Sequence, residues 1–141
     1  MSIQAVLLPL FVQVLLTFVL GFSAAVARFG AVRRGEARPR DIALREPNWP
    51  PRVLQVVYAY QNQLELPLLF YVLTILAWNT RHADLVFVLC AWVFVVLRLM
   101  HAYVHVTSNN LRWRALFFIA SAIVLAVMWA IFVVRILLGL G

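Results

Sequence analysis

Three small polar clusters interrupt an otherwise apolar chain, and their spacings are those of helix faces. Tyr58, Asn62 and Glu65 are four and three residues apart, so on a helix they share one side, and Gln55 extends that side by a turn. Arg98, His101 and His105 are three and four apart and again share a side. Arg112 and Arg114 flank Trp113 at the start of the last apolar run. A carboxylate, a carboxamide and guanidinium groups converging in this way suit recognition of a small anion. An arginine among them can stabilise negative charge without losing its own proton. His101 and His105 have the i, i+4 spacing of a metal pair, but no third histidine or cysteine lies nearby, and His82 falls in the middle gap, on the opposite side. No metal site is expected.

Burial raises the stakes for two of these charges. Glu65 lies about 18 Å along a helix that starts at Val53, at 1.5 Å per residue. An ionised side chain at that depth costs a few kcal/mol or more unless it is paired. Arg98 sits two turns inside its own segment, and Glu65 is the one acid within any apolar run. The expectation is a Glu65–Arg98 contact between the second and third helices. Pro67 follows Glu65 closely and should bend the second helix by freeing the Gln63 carbonyl.

The elements that must position these groups are four apolar segments, about 3–27, 53–78, 85–103 and 115–138. Each reaches or approaches the ~20 residues needed to cross a bilayer. Of the 141 residues, 65% are hydrophobic, with twelve arginines, no lysine and five acids. Too few charges remain to coat a soluble globule, so a soluble enzyme, a disordered tail and a disulfide scaffold are excluded. The single cysteine, Cys90, lies within an apolar run and allows no intrachain disulfide. The first segment has no basic stretch before it and too long an apolar run for a cleaved signal peptide.

The arginines lie in the gaps rather than on a polar face, which speaks against nucleic-acid binding. Seven occupy the loop 28–52, and Arg112 and Arg114 lie by the third gap, against one in the middle gap. The positive-inside rule then makes loop 28–52 cytoplasmic and turns both termini away from the cytoplasm. That loop carries Gly35, Pro39, Pro47, Pro50 and Pro51 and cannot be one helix. Ser108, Asn109 and Asn110 offer capping oxygens for the fourth span.

Asn62-Gln-Leu-Glu65, followed by Pro67 and Phe70, resembles the N-x-x-E-x-x-P-x-F region of the MAPEG family, membrane-associated proteins in eicosanoid and glutathione metabolism. The stretch from Arg98 through His101 to His105 resembles the R-x-x-H-x-x-x-Y pattern of its microsomal glutathione transferase and prostaglandin E synthase-like members. Arg114-Ala-Leu falls where that branch starts its last helix. The resemblance implies an all-α membrane protein, one domain over 1–141, with four transmembrane helices per protomer in a left-handed bundle and a homotrimeric assembly. It implies glutathione as co-substrate, bound between protomers. Asn62 and Glu65 would hold the glutathione backbone, with Arg98 supporting that shell and Tyr58, His101 and His105 completing the binding set. Arg114 would stabilise the thiolate, while the register of another branch points to Arg112. Two positions depart from the family pattern: Tyr58 stands where an arginine is usual, and His105 where a tyrosine is usual.

A free thiol has a pKa near 8.5, so only a few per cent is ionised at neutral pH. A guanidinium beside the sulfur in a partly dry site favours the thiolate. The leading expectation is a glutathione-dependent transferase or peroxidase acting on hydrophobic electrophiles or lipid hydroperoxides. Its other partners would be further copies of itself and membrane lipids. The expected location is the bacterial inner membrane. Two other classes compete: a non-catalytic relative binding a lipid or anion, and a small proton-coupled exporter.

Overall fold

A computed structural model describes residues 1–45 and 47–141. Six helices follow in order: α1 (Ile3–Arg33), α2 (Pro39–Ile42), α3 (Pro51–Asn62), α4 (Leu66–Asn79), α5 (Leu85–Val106) and α6 (Leu111–Leu137). The described residues contain no strand. α1, α5 and α6 are each long and apolar enough to cross a membrane.

α1 runs six residues beyond the end of its apolar stretch at Ala27 because nothing breaks it before Gly35. There it closes on a glycine with φ +74°. The Gly35 N–H donates to the Val32 carbonyl, and the Glu36 N–H to the Ala31 carbonyl. This is the left-handed cap that glycine permits without a steric penalty. α6 starts four residues earlier than hydropathy suggests, because the Asn110 Oδ1 accepts the Arg112 and Trp113 N–H groups at 3.0 and 3.4 Å.

The second apolar segment is two helices, not one bent helix. α3 ends at Asn62, residues 63–65 form a turn, and α4 begins at Leu66. Pro67 is in the first turn of α4, where a missing N–H forfeits no intrahelical bond, so the proline starts a helix instead of kinking one. Gln63 secures the break: its amide donates to the Ala59 carbonyl at 3.0 Å, and its Oε1 accepts from Gln13 of α1 at 2.8 Å.

α1 and α5 run in the same direction, with Val6 in the core beside the first half of α5 and Leu20 beside Ala102 in its second half. α5 lies against α1, α3 and α6, and α1 lies against α3 and α4. Val6, Phe70, Leu73, Phe94, Val95, Leu125 and Met128 form the main core. At the arginine-rich end, Leu20, Ala59 and Ala102 join α1, α3 and α5, where small side chains let the backbones approach. The outer surface is apolar: Phe18, Phe22, Ile119 and Ile123 all stand exposed. In water such a surface would aggregate, whereas in lipid it costs nothing.

The far end is tied by polar contacts. Arg135 donates to the Asp84 carboxylate at 2.9 Å, and Asp84 also accepts the Phe87 N–H at 3.0 Å. Partial burial raises the Asp84 carboxyl, but those two donors outweigh it and hold the group below its usual value.

Candidate functional site

Arg98 is fully buried in α5, so it does not reach up to the membrane surface. It points at the end of α3, where its Nη2 donates to the Asn62 carbonyl at 3.1 Å and to the Asn62 Oδ1. The reason lies in the break. A helix that stops leaves its last carbonyls without intrahelical partners and carries partial negative charge at that end, so a guanidinium is stabilised there. Phe118 of α6 lies 5.9 Å from the guanidinium carbon and contributes its ring face.

The expected Glu65–Arg98 ion pair is not formed. Among the described residues the ion pairs are Arg34–Glu36, Arg40–Asp41 and Arg135–Asp84. Glu65 lies in the turn after α3, outside both helices, and is exposed. The break leaves Asn62, rather than Glu65, as the hydrogen-bond partner of Arg98.

Glu65 opens instead on a cleft of about 500 Å³ at the arginine-rich end. Tyr58, Asn62, Glu65, His101, His105 and Arg114 all line it. Tyr58, Asn62 and Glu65 are thus brought together, although the helix face that their spacing implies stops at Asn62. His101 and His105 stack edge to face, with centroids 5.7 Å apart, and His101 also packs on Phe118 at 5.9 Å. Arg114 reaches the cleft from the first turn of α6, and its Nη1 donates to the Asn109 Oδ1 at 2.7 Å. Arg112, two residues earlier, is exposed and stands outside the cleft.

The donor set fits an anion that carries several polar groups. Arg98 Nε and Nη1 and the Nδ1 atoms of His101 and His105 are buried with no hydrogen-bond partner. Buried polar atoms of this kind, donors in Arg98 and donors or acceptors by tautomer in the histidines, are costly unless something pairs with them. The cleft volume lies in the range of small-molecule sites. Among the described residues no group of three or more metal-ligating side chains occurs.

One further buried polar group belongs to none of the three polar clusters. Gln13 lies in the middle of α1, fully buried, and holds Gln63 at the break. Its sequence signal is a lone carboxamide in a long apolar run, which is unremarkable until Gln63 is seen beside it.

Long apolar helices with an apolar outer surface and a polar cleft at one end are the architecture of a helical membrane protein. A family model described as the MAPEG family matches residues 6–134, nearly the whole chain, and the chain belongs to that family. It is therefore an integral membrane protein. Comparison with the curated proteins and with the solved structures gives no significant match.

Proposed function

We propose that this protein is a membrane glutathione-dependent transferase or peroxidase acting on hydrophobic electrophiles or lipid hydroperoxides. The observation that carries the reading is the cleft, which gathers Asn62, Glu65, His101, His105 and Arg114 on one wall set with Arg98 buried behind it. Asn62 and Glu65 hold the polar backbone of the tripeptide, and Glu65 takes its ammonium group. Arg114 stabilises negative charge on the sulfur, because it is the arginine that lines the cleft and Asn109 fixes its direction. Arg112 acts as a boundary anchor.

In this reading α3 and α4 together form the remaining span, giving four spans in a left-handed bundle. Three protomers close into a trimer around the polar faces. The arginine-rich loop lies in the cytoplasm of a bacterial inner membrane, and both termini face away from it. A polar thiol then enters from the cytoplasm, while an apolar substrate approaches along the exposed face of α6. The test is conjugation of a chlorinated aromatic electrophile by purified protein with millimolar glutathione. Turnover above the uncatalysed rate supports the proposal.

Tyr58 favours a second reading. It lines the cleft where the family pattern has an arginine, and a phenol donates one hydrogen bond without a charge. A non-catalytic relative that binds a lipid or anion in the same cleft would show binding without turnover.

A further inference from the structure

At the end of the bundle opposite the cleft, α4 and α6 finish in the same motif. After α4, the His82 N–H donates to the Ala77 carbonyl at 2.8 Å and the Arg81 N–H to the Trp78 carbonyl at 3.1 Å. After α6, the Leu140 N–H donates to the Arg135 carbonyl at 2.8 Å and the Gly139 N–H to the Ile136 carbonyl at 3.2 Å. Each motif turns on a residue in the left-handed region. In α6 that residue is Gly139, with φ +65°, but in α4 it is Arg81, with φ +61°. A residue with a side chain is disfavoured there and persists where surrounding contacts fix the backbone. The residues that follow the two turns meet: the His82 Nε2 lies 2.8 Å from the Leu140 carbonyl oxygen.

These contacts require two protons on the His82 ring. A carbonyl only accepts, so Nε2 carries one. The His82 Nδ1 lies 3.0 Å from the Thr80 Oγ1, whose single proton is donated to the Leu76 carbonyl at 2.7 Å. Nδ1 therefore donates to Thr80. A neutral ring has one donor and has to give up a bond, to Leu140 or around Thr80. We propose that His82 is a pH-operated latch: as imidazolium it ties the segment after α6 to the α4–α5 turn, and on losing a proton it loosens that tie. Around it stand Arg81 and Asp84 in the turn and Arg135 of α6, and Cys90 of α5 lines the same small hollow as His82. Asp84 is paired with Arg135, whose Nη2 also donates to the Gly141 carbonyl oxygen at 2.9 Å, so the ion pair holds the same segment by a second, separate route. Phe132 packs edge-on to the imidazole, with centroids 6.1 Å apart. Histidine is the side chain that changes charge between about pH 5 and 8, while the guanidinium groups stay charged and the depressed Asp84 carboxyl stays ionised. The latch is complete at the acid end of that range and is lost as pH rises through it.

The test places a nitroxide on Leu140→Cys in the full chain carrying Cys90→Ala. The Leu140 side chain is exposed, so the label leaves its carbonyl in place. Electron paramagnetic resonance in detergent micelles reads the ratio of immobile to mobile label at about pH 5.5 and about pH 8. That ratio should fall about tenfold on going to the higher pH, as for loss of one charge-assisted hydrogen bond. His82→Ala should give the mobile spectrum at both values. His82→Gln keeps a donor for Leu140 without titrating and should give one spectrum, unchanged by pH. Arg135→Gln should lower the immobile fraction at both values and keep the pH response. An unchanged spectrum of the His82 protein across this range would overturn the proposal. So would the same pH response in His82→Ala, which would assign the titration to another group, or its disappearance in Arg135→Gln, which would assign it to the ion pair.

Discussion

Replacing Asn62 with alanine removes the side-chain partner of the one arginine buried within the bundle. In the folded protein Arg98 has zero exposure, and its polar contacts are the Asn62 carbonyl and the Asn62 Oδ1. A hydrogen bond to a charged group contributes about 1.5–3 kcal/mol. Hydrogen bonds within membranes measure smaller, at about 0.6 kcal/mol on average. The backbone carbonyl survives the substitution, so the expected loss is about 1 kcal/mol. Asn62→Asp puts a carboxylate in the same place and should hold stability at or above the parent value. Arg98→Leu together with Asn62→Ala leaves no unpartnered charge, so the double variant should be less destabilised than the sum of the singles, by about 1 kcal/mol or more. Titration with sodium dodecyl sulfate, followed by circular dichroism in mixed micelles, measures the parent, the two Asn62 variants, Arg98→Leu and the double variant. The reasoning fails if Asn62→Ala matches the parent within about 0.5 kcal/mol, or if the two sites are additive.

Glu65→Gln should leave unfolding almost unchanged, because the carboxylate is exposed and makes no ion pair, yet weaken glutathione binding about tenfold in calorimetry, as expected for losing a charge-assisted contact of about 1.4 kcal/mol. A large stability loss would restore the Glu65–Arg98 pairing. Gln13→Leu strands the Gln63 Oε1 and should cost about 1–2 kcal/mol in the same detergent titration, while Gln63→Leu/Gln13→Leu should recover part of it. At the far end, the depressed Asp84 carboxyl contributes stability that is present above its unfolded value near 3.8 and is lost as pH falls through the lower folded value. Arg135→Gln should remove that acid-limb dependence, read as the slope of thermal midpoint against pH, with a modest loss near neutral pH because the pair is half exposed.

Much of the bundle was legible from sequence because hydropathy reports burial in lipid directly. The segment at 85–103 matches α5 within three residues at its end. α1 overran its apolar stretch because a helix ends where caps and breakers fall, not where hydropathy does, and here the breaker is Gly35. The division of the second segment was not legible. Pro67 reads equally as a kink within one helix or as the first turn of the next, and the buried Gln13–Gln63 bond that fixes the outcome joins residues 50 apart. That single ambiguity propagated into the site: it turned the expected Glu65–Arg98 pair into an Asn62–Arg98 contact. Tyr58, Asn62 and Glu65 still line one hollow because residues on either side of a short turn can face the same way, whereas Arg98 and Arg112 do not line it. Gln13 stayed hidden because its role depends on a partner that only the fold supplies.

The central claim is that Arg114 stabilises a thiolate in the cleft. It is tested most directly by the ultraviolet thiolate absorbance of the binary complex with glutathione, in the parent protein, Arg114→Ala and Arg112→Ala. The account predicts a thiolate band in the parent and in Arg112→Ala. It predicts none in Arg114→Ala, whose turnover should fall about 10²–10³-fold, the effect of removing one preorganised electrostatic donor. Oligomeric state should be unchanged throughout, since the Arg114 side chain hydrogen-bonds to Asn109 of its own chain. A band of equal strength in Arg114→Ala, or none in the parent at millimolar glutathione, would contradict it.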